Sequence, residues 1–137
     1  MERKERYTLT KKERLKSRKT IELLFKSGRS FSIYPFRIVY QLTSSSPIEK
    51  GTELQAGFTV STKYFKKAVD RNRVRRLMKE SYRLQKNRLQ ETLSTNEGSL
   101  SVFFIYTAKE LPAYQFIFEK TSLVLERLIK ITGDIKR

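Results

Sequence analysis

The 137-residue chain contains no cysteine and no histidine. Without cysteine there is no disulfide framework, and without either residue there is no Cys/His metal site. Imidazole acid–base chemistry is excluded as well. Acidic residues are scarce, 14 Asp/Glu against 30 Lys/Arg, and they are scattered. No two carboxylates have the close spacing of a two-metal centre. With five glycines in all, no Gly-rich phosphate loop can be drawn. No apolar run approaches the ~18 residues of a membrane span, and residues 1–20 lack the apolar core of a signal peptide. A self-contained hydrolase is not expected, nor any membrane association. A soluble, cytoplasmic protein of one domain is expected, long enough to bury a core.

What the chain has instead is positive charge, and that charge is localised. The net charge is +16. Residues 1–20 hold nine Lys/Arg and three Glu, and residues 63–90 hold eleven Lys/Arg against Asp70 and Glu80. The rest of the chain is close to neutral. Charge gathered into two segments points to an anionic partner, with nucleic acid as the first candidate.

The second segment also has helical periodicity. Val74, Leu77, Met78, Tyr82 and Leu89 fall on one arc at about 100° per residue, with Ser81 and Gln85. Asn72, Arg73, Arg75, Arg76, Lys79, Arg83 and Lys86 fall on the opposite arc. The spacing predicts a helix that buries one side and presents a cationic wall on the other. Arginine suits such a wall, because its planar fork pairs bidentately with phosphate. The clustering of Arg71, Arg73, Arg75 and Arg76 at the helix start adds the favourable dipole of its first amides.

Around this helix the chain reads as a layered α+β domain. Residues 1–13 are expected to be a flexible basic arm. A short helix is predicted over 14–27, with Ser17 or Thr20 as its cap and Gly28 at its end. Residues 29–42 alternate at period two and are split by Pro35. One face of this strand is strongly apolar; the other is mixed and could meet a ligand. Residues 43–53 form a loop, and 54–60 a strand expected to pair with the previous one as a hairpin. Residues 91–99 are predicted as a second loop. Residues 100–108 are almost continuously apolar, as for a strand buried on both faces. A wide apolar stripe predicts a helix over 113–131, and 132–137 should fray. Phe25 with the mixed strand face could floor a cleft for single-stranded nucleic acid, although aromatics at such spacings are more often core.

At AVDRNRVRRLMKESYR, residues 68–83, the sequence resembles the protein subunit of bacterial ribonuclease P. The Arg71-Asn72-Arg73 run, then Arg75, Arg76 and Lys79, carries the resemblance. ERLKS at 13–17, LLFKSGRS at 23–30 and AGFTVSTK at 56–63 extend it. The resemblance implies an αβββαβα domain with a left-handed βαβ crossover of a ribosomal-protein-like topology. That reverses the right-handed crossover the unit would otherwise be given. It implies binding to one catalytic RNA, which carries the active site and its Mg2+ ions. The protein itself would hold no cofactor and no catalytic residue. The substrate implied is precursor tRNA, cleaved to release its 5′ leader, with one protein per RNA. Arg71, Asn72, Arg73, Arg75, Arg76, Lys79 and Arg83 would face the catalytic RNA. A cleft between the first helix and the sheet would hold the leader through Phe25, Ile21, Val39 or Tyr40, Ser61 and Lys63. Ile21 stands where the family has an aromatic, Thr62 where a lysine is common, and the 64–67 connector is one residue longer. A structural RNA-binding module of the ribosomal-protein kind is the alternative, and an independent nuclease a distant third.

Overall fold

Pro35 splits the first extended segment in two. The resulting strands, β1 (Arg29–Ile33) and β2 (Phe36–Thr43), form an antiparallel hairpin across the cis Tyr34–Pro35 turn. They follow a 3-10 turn (Lys11–Glu13) and helix α1 (Arg18–Ser27). Beyond them come β3 (Leu54–Val60), α2 (Ala68–Gln85), α3 (Asn87–Thr95), β4 (Ser99–Tyr106) and α4 (Tyr114–Gly133). The structure is a computed structural model and describes residues 9–43 and 53–133. The expected arm over 1–8, most of the loop over 43–53 and the end from 134 lie outside the described residues.

The sheet order is β1-β2-β4-β3, with β4 antiparallel to β2 and parallel to β3. The expected hairpin between β2 and β3 is therefore not formed. β4 lies between them, because its nearly continuous apolar run gains most from a place internal to the sheet. The β3–α2–α3–β4 segment is the crossover that joins the two parallel strands.

The two sheet faces are unlike. On one, Phe36, Ile38 and Tyr40 of β2 pack with Leu100, Val102, Phe104 and Tyr106 of β4 under α2, α3 and α4. Helix α2 contributes Val74, Met78 and Tyr82 to this core, with the Tyr82 ring edge-on to Phe58 and Phe104. Helix α4 contributes Ile117, Val124, Leu125 and Leu128. The Ser81 and Thr121 hydroxyls, 2.9 Å apart, tie α2 to α4. On the other face only Leu15, Leu24, Val39 and Phe103 form a small buried cluster, flanked by Ile21 and Ile105.

Several expected boundaries move. The 14–27 helix starts at Arg18, with Ser17 accepting a hydrogen bond from the Thr20 amide. Residues 91–95 are helical, because Leu93 continues the buried period from Leu89 and both are fully covered. Residues 9–13 are not part of a mobile arm: Leu9 packs on the core and Glu13 is buried in an ion pair with Lys86. Thr132 is buried in the last turn of α4, where its carbonyl accepts from Asn96, so fraying does not begin at 132. Lys86, expected on the cationic wall, is 1% exposed. Leu77, expected in the core, is only half-buried.

Gly57 is fixed by a close approach. A β-carbon there would lie 2.6 Å from the Phe103 ring, which lies against the β3 backbone. Gly57→Ala must push that ring aside, and overpacking of this kind costs about 1–3 kcal/mol. Denaturant unfolding of the variant should show that loss; an unchanged midpoint would mean that the ring moves without cost.

Candidate nucleic-acid interface

Helix α2 begins at a connector that one of its own arginines holds in place. Arg71 donates from Nη1 to the carbonyls of Phe65 and Lys66, both at 2.8 Å, and Phe65 is buried. Arg71 is thus committed in part to shaping the connector. One turn on, Arg75 donates to the Asn72 side-chain oxygen at 3.1 Å, leaving the Asn72 amide group for another partner. Arg73 and Arg76 are exposed and have no hydrogen bond or ion pair among the described residues. They are the arginines on this arc most available to a partner. Arg83 forks onto Glu80, with Nε 3.2 Å from Oε2 and Nη2 on Oε1. The hydrogen bond from Arg83 is the main cause that holds the Glu80 carboxyl below its ordinary range.

Lys79 is half-buried, and burial pushes its ammonium below the ordinary lysine range, helped by the charges of Arg14, Arg75 and Lys16. The folded state therefore binds this proton more weakly than the unfolded chain. The stability contributed by Lys79 rises as pH climbs through its folded pKa, and at neutral pH its charge is a cost. Lys79→Met should melt no lower than wild type while binding RNA more weakly. A lower melting temperature with undiminished RNA binding would contradict this account of Lys79.

The second candidate surface is the less covered sheet face. Phe25 projects from α1 with 48% of its surface exposed and meets Phe103 edge-on, ring centroids 5.3 Å apart. Ile21, one turn earlier, flanks the same cluster, and Val39, paired with Phe103 across β2 and β4, is buried within it. Tyr40 does not belong here. Alternation along β2 turns it to the opposite face, where it packs edge-on to Phe31 in the main core. The strand aromatic of this surface is Phe103, which sequence reasoning missed. Gly57 was the available signal, since a glycine inside a strand marks close approach by another group. At the exit of β3, the half-buried Ser61 accepts from the Lys63 amide at 3.1 Å. Lys63 and Lys109 lie over the Tyr64 ring, 5.4 and 5.5 Å from its centroid.

The arrangement offers phosphate pairing along α2 and base stacking at Phe25, with a cation at the far end of the sheet. Among the described residues no group of three or more Asp or Glu is placed to hold a metal ion, and no helix is long and apolar enough to cross a membrane.

A family model described as ribonuclease P matches residues 9–128. A ribonuclease P protein component from Porphyromonas gingivalis is 34% identical over 129 residues, covering 94% of this chain and 90% of that protein. Another, from Chlorobium phaeobacteroides, is 30% identical over 128 residues and covers 88% of each chain. The solved ribonuclease P protein of Thermotoga maritima superposes with a TM-score of 0.62 at 24% identity, covering 84% of this chain and 96% of that one. That of Staphylococcus aureus gives 0.61 at 20% identity, covering 87% and 94%. These two structures bear on the fold, which they share with this chain.

Proposed function

The chain belongs to the bacterial ribonuclease P protein family, and from that premise we propose how it serves as the protein subunit of this tRNA-processing ribonuclease. Its partner is the ribonuclease P RNA. Helix α2 grips that RNA through Arg73 and Arg76, with Asn72, Arg75, Lys79 and Arg83 beside them and Arg71 holding the helix entrance. The sheet face under α1 receives the single-stranded 5′ leader of precursor tRNA, through Phe25 with Ile21, Val39 and Phe103, and through Ser61 and Lys63 where β3 ends. Each holoenzyme carries one protein. The RNA supplies the cleavage site and the Mg2+ ions, and no residue of this chain is given a catalytic role.

The observation that carries this reading is the separation of the two surfaces. The exposed arginines of α2 lie on the outer side of a helix packed on one sheet face, and the exposed Phe25 lies over the other. One protein can therefore hold two RNA strands at once. A ribosomal-protein-like structural module would not need the second surface, and the family match disfavours it.

Leader binding has a direct test. Holoenzyme reconstituted with this chain should bind precursor tRNA more tightly than mature tRNA, and the difference should shrink in Phe25→Ala. Stacking of one base on an aromatic contributes about 1–3 kcal/mol. Phe25 is half-covered by Phe103, so the low end applies, roughly a fivefold loss. If the holoenzyme shows no preference for the leader, or if Phe25→Ala weakens precursor and mature tRNA alike, the leader assignment is wrong.

A further inference from the structure

Residues 10–16 run beside the edge strand β3. The Leu15 amide donates to the Ala56 carbonyl at 2.9 Å, Arg14 bridges Ala56 in parallel fashion, and Gln55 donates to the Lys12 carbonyl at 3.0 Å. Leu15 is buried on the open-face side of the sheet. The segment is fastened at a second point. Glu13 Oε2 accepts from Lys86 and from Gln90 (3.4 Å), and its Oε1 accepts from the Thr10 amide and hydroxyl at 3.4 and 3.0 Å. Glu13 and Lys86 are 8% and 1% exposed, and 73 positions apart in the chain.

This fastening brings like charges together. Glu13 pairs with Lys86, two turns beyond Lys79, and Arg14 and Lys16 on the segment join Arg75 of α2 near enough to Lys79 to add to the effect of burial in weakening its hold on its proton. None of the four is ion-paired with a carboxylate among the described residues. Arg14 and Lys16 repel the Lys79 ammonium, so a segment held only by its β3 contacts would gain by moving away. A polyanion would remove that repulsion.

We propose that Glu13 and Lys86 are a positioning pair that clamps residues 10–16 onto the fold, so that Arg14 and Lys16 join Arg75 and Lys79 in one composite surface for RNA phosphates. The inference rests on the assignment of α2 to the ribonuclease P RNA and extends that surface onto a second segment of the chain. The clamp makes no contact with RNA itself. It sets where two of the four cations stand.

The test is binding of the ribonuclease P RNA, without substrate, over a range of salt concentrations. Arg14→Ala with Lys16→Ala removes two exposed side chains and should leave folding intact. It should weaken binding at least tenfold and lower the salt slope by about 2, about 1 per cation. Glu13→Gln should produce a similar loss. Added to the Arg14→Ala, Lys16→Ala background it should produce little more, because both changes remove the same contribution. A clamp serving stability alone would leave the salt slope unmoved. If Glu13→Gln by itself does not fold, Glu13→Gln with Lys86→Met leaves no buried charge without a partner and carries the same test. Wild-type affinity and slope in the Arg14→Ala, Lys16→Ala variant would overturn the composite surface. Full additivity with Glu13→Gln would overturn the positioning role. Failure of the wild-type chain to bind the RNA at all would instead sink the functional assignment on which both depend.

Discussion

Arg73→Ala with Arg76→Ala should cost the chain roughly 100-fold in affinity for the ribonuclease P RNA. Hydrogen bonds to charged groups contribute about 1.5–3 kcal/mol each. For two solvent-facing arginines the lower figure applies, and two such losses make roughly 100-fold. The salt dependence should flatten by about 2 in slope, because fewer counterions are released. Folding should be unaffected, since neither side chain has a partner within the described fold to lose. The combination is diagnostic: lower affinity with an unchanged salt slope would mean that these arginines read bases or shape. Equal loss of thermal stability would mean that they hold the protein together. Arg71 should behave differently, because its guanidinium is bonded to the carbonyls of residues 65 and 66. Arg71→Ala is expected to weaken RNA binding and to loosen the connector as well.

The second large effect is structural. Val74→Lys should abolish folding. Val74 is 0% exposed, between α2 and the sheet. A lone charge there has no partner, and burying one costs several kcal/mol even after relaxation. Most of the ~5–15 kcal/mol that holds a domain together would be lost. Leu77→Lys makes the contrast. Leu77 is half-buried at the border of the apolar arc, so a lysine can lay its stem along the surface and keep its charge in water. Circular dichroism should show an unfolded Val74→Lys chain and a folded, modestly destabilised Leu77→Lys chain. If both fold, the buried side of α2 has been assigned to the wrong residues.

The contrast between these two positions shows how far local periodicity reaches. The burial of Val74, Met78 and Tyr82 and the exposure of Arg73 and Arg76 follow from a 3.6-residue repeat within one helix, so the sequence alone was enough. The split at Pro35 and the internal place of β4 follow from equally local signals, a missing amide and a nearly unbroken apolar run. Lys86 is the counterexample. By period it belongs on the cationic wall, but Glu13, 73 positions away, draws it inside. No window along α2 contains that carboxylate. That β4 is internal was legible, but its choice of β2 and β3 as neighbours was not, since strand order is decided by distant segments competing for one sheet. Phe103 was hidden for a different reason. From Val102 to Tyr106 every residue of β4 is apolar, so alternation leaves no mark there, and the sequence does not say which of these side chains face α1. Tyr40 shows the converse: residue type suggested a cleft aromatic, but position within β2 puts it on the opposite face.

The account makes this chain a holder of RNA, with bond cleavage left to its partner. The most direct measurement is precursor-tRNA cleavage at low Mg2+ by the ribonuclease P RNA alone, by this chain alone, and by the two together. The account predicts little cleavage by the RNA alone, none by the chain alone at any Mg2+ concentration, and mature 5′ ends only when both are present. Cleavage by the purified chain free of RNA, or RNA activity that is the same with and without the chain, would contradict it.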